Sequence, residues 1–190
     1  MVMNIEKNKG IKRNDTPTPI GIVDFITELI SPLGQSLKKV LDPACGKLND
    51  EGKGILTSKL SCDVIQYDII FDKNFFDETE KIDADLVIVN PPFNRIDCGG
   101  KGRKLLPEVF MDKILELCGK DIPIILITPM GFRLNCGKKS KRRKKLMNDY
   151  PDITSIISLP LDVFEGVKFH TEILCFNLPH LKPHYIYPSA

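Results

Sequence analysis

The chain has 190 residues and ordinary apolar content, which predicts one domain with a good core. Its formal net charge of +2 is near neutral, so overall charge gives no argument for nucleic-acid binding and only a local cluster could. The six scattered cysteines form no Cys-x-x-Cys pair, so the sequence suggests neither a zinc site nor a disulfide framework.

The amino terminus is polar and lysine-rich. It has no apolar signal core, and no apolar run in the chain reaches the length of a membrane span. We therefore expect a soluble, cytoplasmic protein with reduced thiols, no bound metal and no membrane association. Residues 1–15 lack periodicity and are expected to form a flexible arm.

A helix is predicted after Thr18-Pro19, because apolar residues recur at helical spacing from Ile20 to Ile30. Thr18 would be the N-cap and Pro19 would take the first helical position, which is sound capping chemistry in itself. The alternative is a functional role for this pair, which depends on a family resemblance given below.

The next predicted strand, Lys39-Val40-Leu41-Asp42, leads into the turn Pro43-Ala44-Cys45-Gly46. A carboxylate and small residues at the end of a first strand can hold a cationic amino-acid group while the backbone comes close to a nucleoside. The turn differs from the Gly-x-Gly-x-x-Gly loop that cradles phosphates.

A second predicted strand, Cys62 to Asp68, has an acidic end. Asp68 follows the small-residue turn by about twenty residues, which is where α/β nucleotide sites place a carboxylate for ribose hydroxyls. The alternative is an ordinary turn aspartate at a strand end.

The run from Ala84 to Val89 predicts a fully buried parallel strand, which ends at Asn90-Pro91-Pro92-Phe93. Ligands gather at such strand ends. This turn suits attack by an exocyclic amine or carboxamide nitrogen, whose delocalised lone pair makes it a poor nucleophile. The side-chain oxygen of Asn90 and a turn carbonyl, taken as that of Pro91, can accept both N–H hydrogens, and Phe93 can stack on the planar group. The alternative is a plain Asn-Pro turn with a core phenylalanine.

Asn90-Pro91-Pro92-Phe93 resembles the catalytic motif of S-adenosylmethionine-dependent amino-methyltransferases, above all the adenine-N6 DNA methyltransferases. Thr18-Pro19 followed by an amphipathic helix is similar to the family segment that helps bind the methionine end of the cofactor. Asp42-Pro43-Ala44-Cys45-Gly46 resembles the family's cofactor loop. The three motifs occur in the family's order, which strengthens the resemblance.

Two positions depart from the family pattern. Leu48 stands where the family usually has a second glycine, and Gly52 and Gly54 are the candidates for supplying the missing flexibility. In a segment similar to the family's Asp-Phe-Phe, the polar residue that meets the cofactor adenine is Asn74, followed by Phe75. An amide can donate and accept, so adenine recognition is retained as a prediction, with an impaired cofactor site as the alternative.

Residues 138 to 145 form the one charge cluster of the chain. Positive charge at this density could neutralise several phosphates, and the alternative is a solvated helix start. The candidate nucleic-acid ligands are Lys138, Lys139, Lys141, Arg142 and Arg143. The glycine-rich segment from Arg95 to Arg103 is either a substrate lid or an idle surface loop, and His170 is expected to be a loop or packing residue rather than a general base.

Strands that alternate with helical patterns predict a doubly wound α/β domain. The resemblance implies a Rossmann-like, seven-stranded methyltransferase sheet whose last strand, Thr171 to Phe176, is antiparallel. It implies one catalytic domain over residues 16–178, followed by a tail over residues 179–190.

The resemblance implies transfer of a methyl group from S-adenosylmethionine to adenine N6 in DNA, as in the methyltransferase subunits of type I restriction-modification systems. The alternatives are methylation of an RNA base or a protein glutamine, and a degenerate fold that serves as a non-catalytic subunit. The sequence ends soon after Phe176, so we expect either low sequence specificity or a partner specificity subunit that supplies the readout, and we favour the partner.

Overall fold

A computed structural model describes residues 17–97, 103–137 and 139–188. The strands within these residues are β1 (Lys39–Asp42), β2 (Asp63–Gln66), β3 (Leu86–Val89), β4 (Arg95–Asp97), β5 (Arg103–Leu105), β6 (Ile124–Pro129), β7 (Ile153–Ser158), β8 (Thr171–Phe176) and β9 (His184–Ile186). Seven of them form one sheet in the order β2-β1-β3-β6-β8-β7-β9, and β4 pairs with β5 in a separate hairpin.

The sheet is parallel from β2 through β6 and becomes mixed beyond it. β1 pairs parallel with β2 and β3, and β3 pairs parallel with β6. β8 lies antiparallel to both β6 and β7, so the predicted seven-stranded sheet with an antiparallel strand at Thr171–Phe176 is confirmed. β9 pairs parallel with β7 at the edge of the sheet, within the segment that we predicted as a tail.

The helices are α1 (Ile20–Ile30), α2 (Leu106–Cys118) and two short ones, α3 (Gly131–Leu134) and α4 (Lys141–Lys144). A π-helical turn, Lys145–Asp149, continues α4. The 3₁₀ turns are Ser31–Ser36, Ile55–Thr57, Ile69–Phe71 and Phe75–Asp77. α1 begins after Pro19, whose carbonyl accepts from the amides of Ile22 and Val23, and its N-cap makes no side-chain hydrogen bond.

The two long helices cover opposite faces of the sheet. β3 is fully buried, and alternate side chains of a strand point to opposite faces, so it contributes to two hydrophobic clusters. Leu86 and Ile88 belong to the cluster that contains α1, whereas Val87 and Val89 belong to the one that contains α2. The predicted doubly wound α/β class is therefore confirmed, and β3 lies inside the sheet between β1 and β6.

The prediction of a loop from Arg95 to Arg103 needs a correction at both ends. β4 and β5 pair antiparallel there, with Arg95 opposite Leu105, and residues 98–102 lie outside the described residues.

None of the helices in residues 17–97, 103–137 and 139–188 combines the length and apolar character needed to cross a membrane. Within the same residues, His, Cys, Asp and Glu side chains do not gather in groups that could hold a metal ion.

Candidate active site

A cavity of about 340 Å³ opens at the carboxyl ends of β1, β2 and β3. Parallel strands that end at one edge of a sheet bring their following turns together, and this is the usual place for a ligand in an open α/β sheet. Several predicted site residues line this cavity, namely Thr18, Ala44, Gly46, Asp68, Asn90, Pro91, Pro92 and Phe93. The structure therefore brings together residues from four separate parts of the sequence.

The small-residue turn after β1 is held by the acidic end of the second strand. Gly46 has a φ of +67°, a conformation that favours glycine, and its amide donates to Asp68 Oδ2 at 3.0 Å. The other carboxylate oxygen of Asp68 accepts from the amide of Ile70 at 3.0 Å. Asp68 is thus fixed at the rim of the cavity, and each oxygen keeps a lone pair for a further donor.

Asp42 lies beneath this turn and does not line the cavity. It is completely buried, its Oδ1 accepts from the amide of Ala44 at 3.3 Å, and its Oδ2 has no hydrogen-bond partner among the described residues. The pKa of the Asp42 carboxyl is raised to about 7, mainly because the group is buried; the amide of Ala44 opposes this rise and the nearby charge of Asp68 adds to it. Asp42 therefore supports the turn from below.

The segment after the turn folds back so that Gly54, rather than residue 48, packs against the turn. Leu48 and Gly54 pair across a short reversal, in which Asn49 Oδ1 accepts from the amides of Glu51 and Lys53. A Cβ on Gly54 would lie 2.7 Å from both the carbonyl oxygen and the Cβ of Cys45. Close backbone approach is therefore provided by Gly54, and Leu48 is exposed outside the cavity.

The side chain of Asn90 is held by a residue that is distant in the sequence. Its side-chain Nδ2 donates to Thr18 Oγ1 at 3.0 Å, and Thr18 is only 3% exposed. The capping interpretation of Thr18 is therefore wrong, because its hydroxyl contacts Asn90 rather than a helix amide. Asn90 Oδ1, on the other branch of the amide, accepts no hydrogen bond from the described residues.

A second cavity of about 450 Å³ adjoins the first, and Phe93 lines both. The ring of Phe93 makes edge contacts with Phe164 and Phe169 at centroid distances of 6.1 and 5.9 Å. Phe169 also lines the second cavity and is 45% exposed. Phe93, at the end of the Asn90 turn, therefore borders two cavities, and the second has two phenylalanines on its walls.

His170 lines the second cavity, where its backbone carbonyl accepts from the amide of Met130 at 3.1 Å. Sequence reasoning missed a buried ion pair nearby. Glu172 is fully buried in β8 and accepts from Arg133 Nη2 at 2.8 Å. Burial raises the pKa of Glu172 and Arg133 opposes this rise. A glutamate inside the apolar run of residues 171–176 was the signal for it.

Other predicted cofactor residues lie away from the first cavity, although all are in the described part of the chain. Asn74 Oδ1 accepts from the amide of Phe76 at 3.2 Å and its Nδ2 donates to Asp77, so the side chain caps its own turn. Phe75 is buried and stacks on Phe110 at 6.0 Å. Pro19 and Pro43 likewise do not line the cavity.

In the basic segment, residues 138–145, some cationic side chains contact the protein and others face solvent. Arg142 Nη2 donates to the carbonyls of Asn135 at 2.9 Å and Gly131 at 3.3 Å, and both of these residues line the second cavity. Lys145 binds the buried Glu108 of α2 at 3.3 Å. The exposed cations are Lys139, Lys141, Arg143 and Lys144, while Lys138 lies outside the described residues. Arg142 thus ties the segment that carries the exposed charges to two residues that line the second cavity.

The chain has the fold of class I S-adenosylmethionine-dependent methyltransferases. A solved Listeria monocytogenes protein described as such an enzyme is 18% identical, with a TM-score of 0.66 over 95% of this chain and 68% of its own. A type I restriction-enzyme modification subunit from Vibrio vulnificus is 17% identical, with a TM-score of 0.59 over 92% of this chain and 47% of its own. A type I restriction-modification methyltransferase subunit from Streptococcus thermophilus is 14% identical, with a TM-score of 0.61 over 90% of this chain and 47% of its own.

The predicted likeness to type I methyltransferase subunits is therefore confirmed at the level of the fold. The chain spans about half the length of those two subunits, which are 47% covered. No family model matches the chain, and no curated protein matches it by sequence.

Proposed function

We propose that the protein transfers a methyl group from S-adenosylmethionine to the exocyclic N6 of adenine in DNA, inside the cell. The observation that carries this proposal is that the turn from Asn90 to Phe93 lines the first cavity and that its last residue, Phe93, also lines the second. One cavity has the polar groups that suit the cofactor, and the other has the aromatic walls that suit a base. Asn90 lies where the two would meet.

The residues of the first cavity fit the cofactor. Its volume of about 340 Å³ is within the usual range of ligand pockets. Asp68 has lone pairs for the ribose hydroxyls, and Gly46 presents backbone without a Cβ. Lys47 also lines the cavity and carries a charge suited to the carboxylate of the cofactor. When bound there, S-adenosylmethionine would supply an electrophilic methyl group on a sulfonium.

Asn90 and the following turn would make the substrate amine a better nucleophile. The lone pair of an adenine amine is delocalised into the ring, so the nitrogen must be drawn toward a tetrahedral form before it attacks. Asn90 Oδ1 and the carbonyl of Pro91 would accept the two N–H hydrogens and stabilise that form. These acceptors act most strongly where water is excluded, and Pro91 is buried while Asn90 is half-buried.

The second cavity suits a planar base that has left its helix. Phe93 and Phe169 supply aromatic faces or edges on its walls, and one base–aromatic stack contributes about 1–3 kcal/mol. The exposed cations held beside the cavity by Arg142 suit the flanking phosphates. A base within a polyanion fits this combination better than a protein glutamine does.

The test is methyl transfer from labelled cofactor with duplex DNA, RNA and a glutamine-containing peptide as substrates, followed by identification of the modified group. Asn90→Ala should lower the rate on DNA roughly a hundred- to thousandfold, because one preorganised acceptor is lost. Its cofactor affinity, measured by calorimetry, should stay close to that of the wild type.

Asn148→Ala is the matched control, because Asn148 is exposed on the π-helical turn. It should leave the rate unchanged. Full activity of Asn90→Ala would refute the mechanism. Absence of binding at millimolar cofactor would instead favour a non-catalytic subunit, and modification of RNA or peptide alone would replace the proposed substrate.

A further inference from the structure

We infer that Thr18 is a positioning residue, whose hydroxyl sets the orientation of the Asn90 amide; this inference rests on the proposed function. The family resemblance assigns the Thr-Pro segment to cofactor binding. The structure places the Thr18 hydroxyl 3.0 Å from Asn90 Nδ2, in a contact that joins residues 72 positions apart in the chain. Thr18 thus acts on the group that contacts the acceptor amine.

The orientation of this amide matters because its two branches have opposite hydrogen-bonding character. With Nδ2 on Thr18, the acceptor Oδ1 is the branch of the amide that the threonine leaves free for a substrate. A half-turn of the amide would present the NH₂ group to the substrate amine, so that two donors face one another, and the threonine hydroxyl would have to change from accepting to donating. The rate therefore depends on the fraction of molecules in which Nδ2 remains on the threonine.

The position of Thr18 is rigid enough for this role. The residue is 3% exposed and is separated from α1 only by Pro19, and the helix is anchored by Ile22 and Ile26 at 0% and 1% exposure. The hydroxyl is not used as a helix cap, since the N-cap makes no side-chain hydrogen bond. Asn90 is fixed equally well at the end of the fully buried β3. Both partners of the hydrogen bond are therefore held by the core.

Thr18→Val keeps the shape of the side chain and removes the hydroxyl, and Thr18→Ser keeps the hydroxyl. The valine variant should lower kcat by roughly three- to tenfold, in keeping with the loss of one hydrogen bond, with cofactor Kd unchanged. The serine variant should restore most of kcat. A rise in cofactor Kd with kcat intact at saturation would overturn the inference, because it would assign Thr18 to direct cofactor binding.

A double-mutant cycle and a spectroscopic measurement separate this inference from the proposed function. Adding Thr18→Val to Asn90→Ala should cause no further loss of kcat, since the group that Thr18 orients is gone. In the cofactor-free protein, the side-chain NH₂ resonances of Asn90 can be assigned by their loss in Asn90→Ala. They should be protected from solvent exchange in the wild type and in Thr18→Ser, and exposed in Thr18→Val.

The resonance measurement needs no activity, so it tests the hydrogen bond even if the protein methylates nothing. Rapid solvent exchange of the Asn90 NH₂ group in the wild type would overturn the inference, because the nitrogen would then face the cavity. Independent losses from the two substitutions in the cycle would overturn it as well. Failure of the proposed function alone would appear as absence of methyl transfer by the wild type with the exchange pattern intact.

Discussion

At the scale of single residues, the cavity depends on a carboxyl group that lies in an unfavourable environment. Asp42 is fully buried, with one oxygen on the amide of Ala44 and the other unpartnered among the described residues. Burial raises its pKa to about 7, which means that the folded protein holds the proton of Asp42 across a range where the unfolded chain has released it. Ionisation of Asp42 therefore opposes folding.

Asp42→Asn should change how the stability of the cofactor-free protein depends on pH. The usual pKa of the group is 3.8 and its folded pKa is about 7, so its contribution to the free energy of unfolding falls as pH rises between these values. The slope approaches about 1.4 kcal/mol per pH unit. Relative to the wild type, the asparagine variant should become more stable as pH rises from 5 to 7, as measured by urea unfolding at each pH.

Asp85→Asn serves as the control of opposite sign. The amides of Lys38 and Lys39 lower the pKa of Asp85, so its contribution to stability is present above its usual pKa and is lost only as pH falls below it. The difference between the wild type and this variant should be flat from pH 5 to 7. A flat difference for Asp42→Asn as well would show that Asp42 is ionised in the folded protein.

The positions of residues at strand ends could be predicted from the sequence where the sheet topology alone decides them. Asp68 and Asn90 end parallel strands, so their arrival at one cavity follows from the rule that such ends share an edge. The place of Asn74 could not be predicted in this way, because its side chain caps its own 3₁₀ turn. The inward orientation of Arg142 could not be predicted either, since it depends on Glu108 and on carbonyls that the tertiary structure brings near.

At the scale of elements, the turn after β1 is shaped by the reversal that follows it. Gly54 packs so closely on Cys45 that no side chain fits between them. Its amide donates to Gln66 Oε1 at 2.6 Å, which ties the reversal to β2. The close approach to the turn is made by a glycine six positions later than Leu48. A spacing rule could not reveal this, because it depends on how the loop folds back.

Gly54→Ala should distort the turn that lines the first cavity. Its Cβ would lie 2.7 Å from the carbonyl oxygen of Cys45. This oxygen belongs to the backbone of the turn, so the clash can be relieved only if the turn moves. We expect a loss of about 1–3 kcal/mol in the free energy of unfolding, as in other overpacked sites. Cofactor binding should weaken by about tenfold or more, which calorimetry measures.

Gly137→Ala is the matched control for this substitution. A Cβ there meets no atom within 4 Å, so both stability and cofactor affinity should be retained. If Gly54→Ala behaved like the control, the close approach to Cys45 would play no part in shaping the cavity.

The edge strand β9 shows a second limit of prediction at this scale. Its three residues are too few for alternation to be read, and the sequence therefore predicted only a tail. In the structure Phe25 of α1 makes edge contacts with Tyr185 and Tyr187, at centroid distances of 6.2 and 5.3 Å. The carboxyl-terminal segment thus packs on the helix that follows Thr18 and stabilises that side of the site.

At the scale of the whole molecule, charge rather than shape governs the proposed contact with DNA. The net charge of +2 is small, yet exposed cations of the basic segment are concentrated beside the second cavity. Arg142 and Lys145 face inward and hold this segment on α2 and α3. We propose that these cations contact phosphates, which carry no sequence information, and that a partner subunit supplies recognition of the DNA sequence.

The protein alone should then bind duplex DNA weakly, with strong salt dependence and little sequence preference. Replacing both Lys141 and Arg143 with alanine should reduce the slope of log K against log salt by about two, because two phosphate contacts are lost. Lys120→Ala, with its exposed charge just before β6 at the opposite end of the strands, should leave the slope unchanged. Competition binding with varied duplexes measures both properties. Tight, salt-resistant selection of one short site by this chain would contradict the partner and the phosphate contacts together.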